Sequence, residues 1–194
     1  MFRLLHLVFG LLLLSAALTV SAIGIGGSQP PPSALVGLDA CGLPCWNQIV
    51  PRQTSFDAAQ AQLLEDGYRL TSNGQTFTFE PSAIDRDCQV WLKIGDGLVT
   101  VTSLVGCPGV RVGDVIAILG EPEGILRSLS GLVFRGGQIL VLVHEFACDE
   151  WFAPETEVRS IYFADGAAMR VHNHLTTDPV FLSFQWRGFA SRAS

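Results

Sequence analysis

Residues 88–105 read CQVWLKIGDGLVTVTSLV, and this stretch decides the fold class of the chain. Apolar side chains at Val90, Leu92 and Ile94 alternate with other residues, which is the period of a β-strand that buries one face. Asp96-Gly97 then interrupts the run with a dipeptide that tolerates positive φ, and a second strand-like run follows. The stretch therefore predicts an antiparallel β-hairpin.

Three similar dipeptides, Asn73-Gly74, Gly136-Gly137 and Asp165-Gly166, also lie between strand-like runs. One such dipeptide is common in loops, but four in this arrangement predict four hairpins, and hence eight strands. The sequence therefore predicts consecutive antiparallel strands as the main element of the fold.

Two helical segments precede the pairs of hairpins. Thr54 with Asp57 is typical of a helix start, and Gly67 is typical of a helix end. Between them one apolar face is expected, formed by Phe56, Ala59, Leu63 and Leu64. Residues 113–120 suit either a strand or a helix, and the flanking Asp and Gly-Glu-Pro favour one or two turns of helix.

The predicted fold class is therefore α+β, with two repeats of one helix and four antiparallel strands. Residues 41–106 form the first repeat and residues 107–175 the second, and residues 176–194 form a C-terminal tail. Corresponding turns of the two repeats are 63 and 69 positions apart, which suggests an internal duplication of the architecture.

Residues 1–25 contain an uncharged run from Leu4 to Ile25, and Arg3 precedes this run. Small residues ending at Ala22 predict a cleaved signal peptide, whereas the length of the run predicts a membrane-crossing helix that remains as an anchor. Either interpretation places the rest of the chain outside the cytoplasm. Residues 26–40, rich in Pro, Gly and Ser, predict a linker.

Five cysteines in an extracytoplasmic chain predict disulfides, with at least one cysteine left over. Their places in the two repeats favour Cys45–Cys88 and Cys107–Cys148, which leaves Cys41. A local Cys41–Cys45 bond is the alternative.

IVPRQT at residues 49–54 and LGEP at residues 119–122 accompany this order of elements. Together they resemble the β-lactamase-inhibitor-protein fold and the related domains of small outer-membrane assembly lipoproteins, although Arg52 stands where those families carry glycine. The resemblance spans residues 45–172 and implies a concave antiparallel surface suited to binding proteins. CGLPCW at residues 41–46 and WRGF at residues 186–189 resemble the edges of bacterial envelope proteins.

The composition excludes some classes of function. A net charge of -6 and a single lysine, Lys93, argue against a nucleic-acid partner. Because the chain has no nucleophile elbow, HExxH pair, phosphate loop or Rossmann glycine pattern, we expect no enzymatic activity and no cofactor.

Two stretches remain as candidate sites. An acidic and aromatic stretch predicts either an ordinary solvated loop or a recognition loop, whose binding residues would be Glu145, Asp149, Glu150, Trp151 and Phe152. His172 and His174 share a strand face, which suits a weak zinc site, although two exposed histidines are the simpler interpretation.

The sequence therefore predicts a non-catalytic extracytoplasmic binding or structural domain that recognises another protein. The alternatives are an envelope assembly factor held at the membrane by the N-terminal segment, and a metal-dependent hydrolase that uses the His172 and His174 region.

Overall fold

The computed structural model describes residues 2–27, 32–38, 41–42, 44–73, 76–82, 88–126, 130–143 and 153–165. The chain divides into two compact units, Met1–Pro31 and Pro32–Ser194. Each unit is described by itself.

The first unit contains helix α1, Phe2–Gly27. Two of its hydroxyl groups bond to backbone within the helix: Ser15 donates to the Leu12 carbonyl at 2.9 Å, and Thr19 donates to the Ser15 carbonyl at 2.8 Å. Within the described part of the chain, no helix combines the length and the apolarity that a membrane crossing requires. The predicted helix is confirmed, and the predicted membrane crossing is not.

Within the described residues, the second unit forms one eight-stranded antiparallel sheet with helices, so the α+β class is confirmed. The first group of elements is α2 (Phe56–Glu65), β1 (Tyr68–Asn73), β2 (Thr76–Pro81), β3 (Gln89–Gly95) and β4 (Leu98–Val105). The second group is α3 (Val112–Leu119), β5 (Gly124–Leu126), β6 (Gly131–Phe134), β7 (Ile139–Val143) and β8 (Val158–Ala164). The strands lie in the order β1-β2-β3-β4-β8-β7-β6-β5.

The turns follow the predictions in part. Asp96 and Gly97 form the predicted two-residue turn, with φ of 54° and 76°. The turn at Gly136-Gly137 is present but spans four residues, 135–138, because Phe134 pairs with Ile139. Gly74, Gly166 and the strand predicted after Gly166 lie outside the described residues.

The two edge strands of the sheet are β1 and β5. Strand β5 has only three residues, and the alternation of apolar residues had not predicted it. Strand β1 has a register shift between Leu70 and Ser72, and the Thr71 hydroxyl donates to the Thr78 carbonyl at 3.2 Å. Both edges are therefore short or irregular.

Side-chain hydrogen bonds cap the N-termini of α2 and α3. Ser55, not the predicted Thr54, caps α2, since its Oγ accepts from the Ala58 N–H at 3.2 Å. The Thr54 hydroxyl instead accepts from the Val50 N–H and closes the preceding loop. In α3, which is the predicted short helix, the Asp114 carboxylate accepts from the Arg111 N–H at 2.9 Å.

One hydrophobic core lies between the helices and one face of the sheet, and it spans both groups of strands. Ala59 and Leu63 of α2 are buried in this core, whereas Leu64, predicted for the same face, is 49% exposed. The Phe56 ring packs against the Phe77 ring with centroids 4.2 Å apart, and this contact joins α2 to β2.

The disulfides correct the predicted pairing. One bond joins Cys41 to Cys45, with Cα atoms 6.1 Å apart, and this is the pairing that the sequence offered as the alternative. The other bond joins Cys88 to Cys107, with Cα atoms 4.4 Å apart. Cys88 precedes β3 and Cys107 follows β4, so the pairing of these neighbouring strands brings the two cysteines together. Cys45–Cys88 and Cys107–Cys148 are therefore wrong, because the analogy between the two repeats fixes no distance between the cysteines within either repeat. Cys148 lies outside the described residues.

Replacing Gly97 by valine is expected to destabilise the domain by about 1–2 kcal/mol, because a β-branched side chain is strained at a φ of 76°. An added Cβ at Gly97 meets no atom within 4 Å, so a steric clash plays no part. Gly42→Val is the matched control, since it also meets open space and has no positive φ. Urea melts of both variants test this, and equal shifts would contradict it.

Removing the two disulfides separately should have unequal effects. On the chain-entropy model, C88A/C107A should cost about 3 kcal/mol of stability and C41A/C45A about 2 kcal/mol, because the first bond closes the longer loop. Peptide mapping without reduction, on protein from its native compartment, tests the pairing. A bond from Cys88 to any other cysteine would refute it.

Candidate binding surface

The sheet has an outer face opposite its helices, and strand β3 presents residues to both faces. Val90 and Leu92 are fully buried in the helix-side core. Because successive residues of a strand alternate between faces, the intervening Trp91 lies on the outer face. Its cross-strand partners Thr78 and Ser103 share that face.

The outer face changes character across the sheet. On β2 and β3 it carries a group that we name the polar patch, consisting of Thr78, Glu80, Gln89, Trp91 and Lys93. On the strands from β4 to β5 in the sheet order it carries mainly apolar side chains. The polar patch is therefore one half of the outer face.

Trp91 is the large aromatic residue of the polar patch, and 37% of its surface is exposed. Its indole Nε1–H donates to Gln89 Oε1 at 3.3 Å, and Gln89 Nε2–H donates to Glu80 Oε1 at 3.3 Å. This chain of two hydrogen bonds restricts the rotamers of all three side chains. The indole ring is therefore positioned by its own neighbours on the sheet.

The backbone beneath Trp91 is fixed at both ends of its hairpin. The Asp96-Gly97 turn closes one end of β3 and β4, and the Cys88–Cys107 disulfide closes the other. Both strands also have sheet neighbours, β2 on one side and β8 on the other. The part of the polar patch on β3 therefore belongs to a hairpin that is closed at both ends.

Charges of both signs surround the indole. Glu80 faces Arg69 across the β1–β2 ladder, and Lys93 extends the same face along β3. A mixed patch with one aromatic centre resembles the composition of protein-binding surfaces, where an aromatic residue lies within a polar rim.

Most of the residues predicted as binding or metal sites stay predictions. Those of the predicted recognition loop (Glu145, Asp149, Glu150, Trp151 and Phe152) and the weak metal candidates (His172 and His174) all lie outside the described residues. Cys45, Cys88 and Cys107 are consumed in disulfides. Within the ranges that the structure describes, no three His, Cys, Asp or Glu side chains form a group suited to a metal ion.

Sequence reasoning had missed Trp91, although its signal was present. The alternation of Val90, Leu92 and Ile94 already assigns Trp91 to the other face of the strand. An aromatic residue in the polar phase of an amphipathic strand is the pattern that would have identified it.

Comparisons with protein-family models, with curated proteins and with solved structures find no match to this chain. A functional assignment must therefore rest on the chain's own residues.

Replacing Gln89 by alanine is expected to free the Trp91 indole, since it removes the acceptor of the Nε1–H group. The indole N–H resonance should shift and exchange faster with water, while stability should fall by less than about 1 kcal/mol. Gln62→Ala is the control, because the side-chain amide of Gln62 donates its hydrogen bond to the Asp66 carboxylate at the end of α2 and not to a residue of the polar patch. An unchanged Trp91 resonance in Gln89→Ala would show that the bond does not form in solution.

Proposed function

We propose that this chain is a non-catalytic extracytoplasmic domain that binds another protein through the polar patch. The observation that carries the proposal is Trp91, an exposed tryptophan held by hydrogen bonds on a disulfide-closed hairpin. Tryptophan is enriched among the residues that contribute most to protein–protein binding.

Preorganisation favours binding at this place. A side chain that is already ordered loses little rotamer entropy when a partner covers it. Trp91 is positioned by Gln89, and Gln89 by Glu80, so the central part of the interface is ordered in the free protein. The surrounding charges provide orientation and selectivity rather than most of the affinity.

The proposed duplication and the likeness to the β-lactamase-inhibitor-protein fold have support in the backbone. The residues that precede the helices, Ser55 and Arg111, each form a bridge beside the last strand of their group, to Leu98 and Glu157. One residue earlier in each case, the Thr54 and Val110 carbonyls accept from the Val99 and Val158 N–H groups, both at 2.9 Å. Corresponding positions thus make corresponding hydrogen bonds in the two groups.

Arg52 supports the same likeness. It occupies the position where the inhibitor-like families carry glycine, and its φ is 61°, a conformation that glycine adopts at little cost. The guanidinium forms an ion pair with Asp165 at the end of β8, and the Arg52 N–H donates to the Val99 carbonyl. The arginine is thus held in a glycine-like backbone conformation.

The extracytoplasmic location rests on the two disulfides, since such bonds persist mainly in oxidising compartments. The same location fits the interpretation of residues 1–25 as a cleaved signal peptide.

A photocrosslinking residue in place of Thr78, which pairs with Trp91, tests the binding surface in intact cells. We expect a discrete protein adduct that is lost in the additional variant Trp91→Ala, because truncating a central aromatic costs about 2 kcal/mol or more of binding. Leu70→Ala is the matched control, since Leu70 is 36% exposed but lies on the helix side of edge strand β1.

An adduct that survives Trp91→Ala would place the binding surface elsewhere. The absence of any adduct at Thr78, with the protein correctly exported and folded, would overturn the proposal.

A further inference from the structure

The beginning of the second unit is folded onto the helix-side core. Ser33–Leu38 form a short 3-10 helix, which we name the N-terminal strap, within the segment for which the sequence predicts a linker. Leu35 and Leu38 are each 1% exposed and belong to the same core as Trp46 and Ile49. The N-terminal strap is therefore part of the folded domain.

The N-terminal strap contacts a tight turn formed by residues 46–49. The backbones of Trp46 and Ile49 close this turn with hydrogen bonds in both directions, at 3.3 and 2.8 Å. The Asn47 N–H donates to the Gly37 carbonyl of the strap at 3.0 Å. The approach is close, since a Cβ added at Gly37 would lie 3.0 Å from the Asn47 nitrogen and 3.1 Å from the Trp46 indole nitrogen.

The Cys41–Cys45 disulfide lies in the connection between the N-terminal strap and this turn. Cys41 comes three residues after Leu38, and Cys45 directly precedes Trp46. Because the bond shortens the flexible connection, it lowers the conformational entropy that the chain loses when the strap docks on the turn.

A strap of six residues depends strongly on such a constraint. Each ordered residue costs conformational entropy, and the burial of apolar side chains supplies the compensating free energy. Leu35 and Leu38 bury their side chains, but Val36 between them is 61% exposed. We therefore expect the docked strap to be only marginally stable when the disulfide is absent.

The second disulfide differs in access and in surroundings. Cys88 and Cys107 are 1% and 4% exposed, and they join β3 to β4, which pair at seven positions. Cys41 is half-buried, so a thiolate from solvent reaches the Cys41–Cys45 bond more easily. Reduction of the Cys41–Cys45 bond frees a short strap, whereas reduction of the other bond leaves a paired hairpin.

We propose that the Cys41–Cys45 disulfide is a redox-controlled latch: when a dithiol reduces it, the N-terminal strap leaves the core while the sheet stays folded. One thiolate of the dithiol attacks Cys41 Sγ, which breaks the S–S bond and releases Cys45 as a thiolate. The second sulfur of the dithiol then attacks the first and displaces Cys41. The dithiol is thereby oxidised to a disulfide, and its two electrons and two protons leave both cysteines as thiols. This latch does not depend on the polar patch.

Amide hydrogen exchange of the full chain, measured by NMR before and after limited treatment with dithiothreitol, tests the proposal. Exchange of the Asn47 N–H should become about tenfold faster or more once alkylation shows that Cys41 and Cys45 are reduced. The Val99 N–H, which donates to the Thr54 carbonyl at 2.9 Å, is the internal control and should exchange as slowly as before.

Substitutions separate release of the strap from a general loosening of the domain. In the oxidised protein Leu38→Ser should also accelerate exchange at Asn47, because it removes a buried contact of the strap. Val36→Ser is the matched control at an exposed position and should leave exchange at Asn47 unchanged. The variant C41S/C45S should behave like the reduced protein without any reductant.

Unchanged exchange at Asn47 after selective reduction would overturn the proposal, and so would equal effects of Leu38→Ser and Val36→Ser. Equal acceleration at Asn47 and Val99 in the reduced protein would show that the bond holds the whole domain, which also overturns it. Reduction of Cys88–Cys107 before Cys41–Cys45 would do the same. If Leu38→Ser unfolds, exchange at Val99 rises as well, and the comparison of oxidised with reduced wild-type protein decides the question.

Discussion

The pairing of β4 with β8 is the interaction on which the rest of the structure depends. Five cross-strand pairs, from Val101–Ala164 to Val105–Ser160, join two groups of four strands into one sheet. The same pairing places Leu104 against Ile161 and so makes the helix-side core continuous. Without it each group would present a long apolar strand as an open edge, and neither helix would have a complete surface to cover.

The sequence predicts local structure well because local structure depends on neighbours along the chain. The Asp96-Gly97 turn, the strands beside it and the helix that ends before Gly67 all follow from residues within ten positions of one another. The Cys88–Cys107 disulfide follows from the same predicted hairpin, and it was missed because the cysteines were paired by analogy between the two repeats. Strand β5 could not be predicted, since three residues are too few to show a period.

The candidate site was only partly accessible to sequence reasoning for a related reason. The strand pattern gives the face on which Trp91 lies, but it gives no information about which side chains surround the indole. The hydrogen bond from Gln89 to Glu80 joins β3 to β2, and it depends on register. Density of charge and aromatic residues along the chain instead favoured the stretch around Trp151, because composition is visible in sequence and spatial arrangement is not.

The two edges of the sheet have a consequence for the molecule at high concentration. An exposed edge is a template on which another chain can add a strand, and long regular edges therefore promote aggregation. Strand β5 offers only three residues for such addition, and β1 combines its register shift with the charged Arg69. Chains of this protein that meet edge to edge thus find little regular backbone to pair with, which opposes growth of the eight-stranded sheet into a fibre.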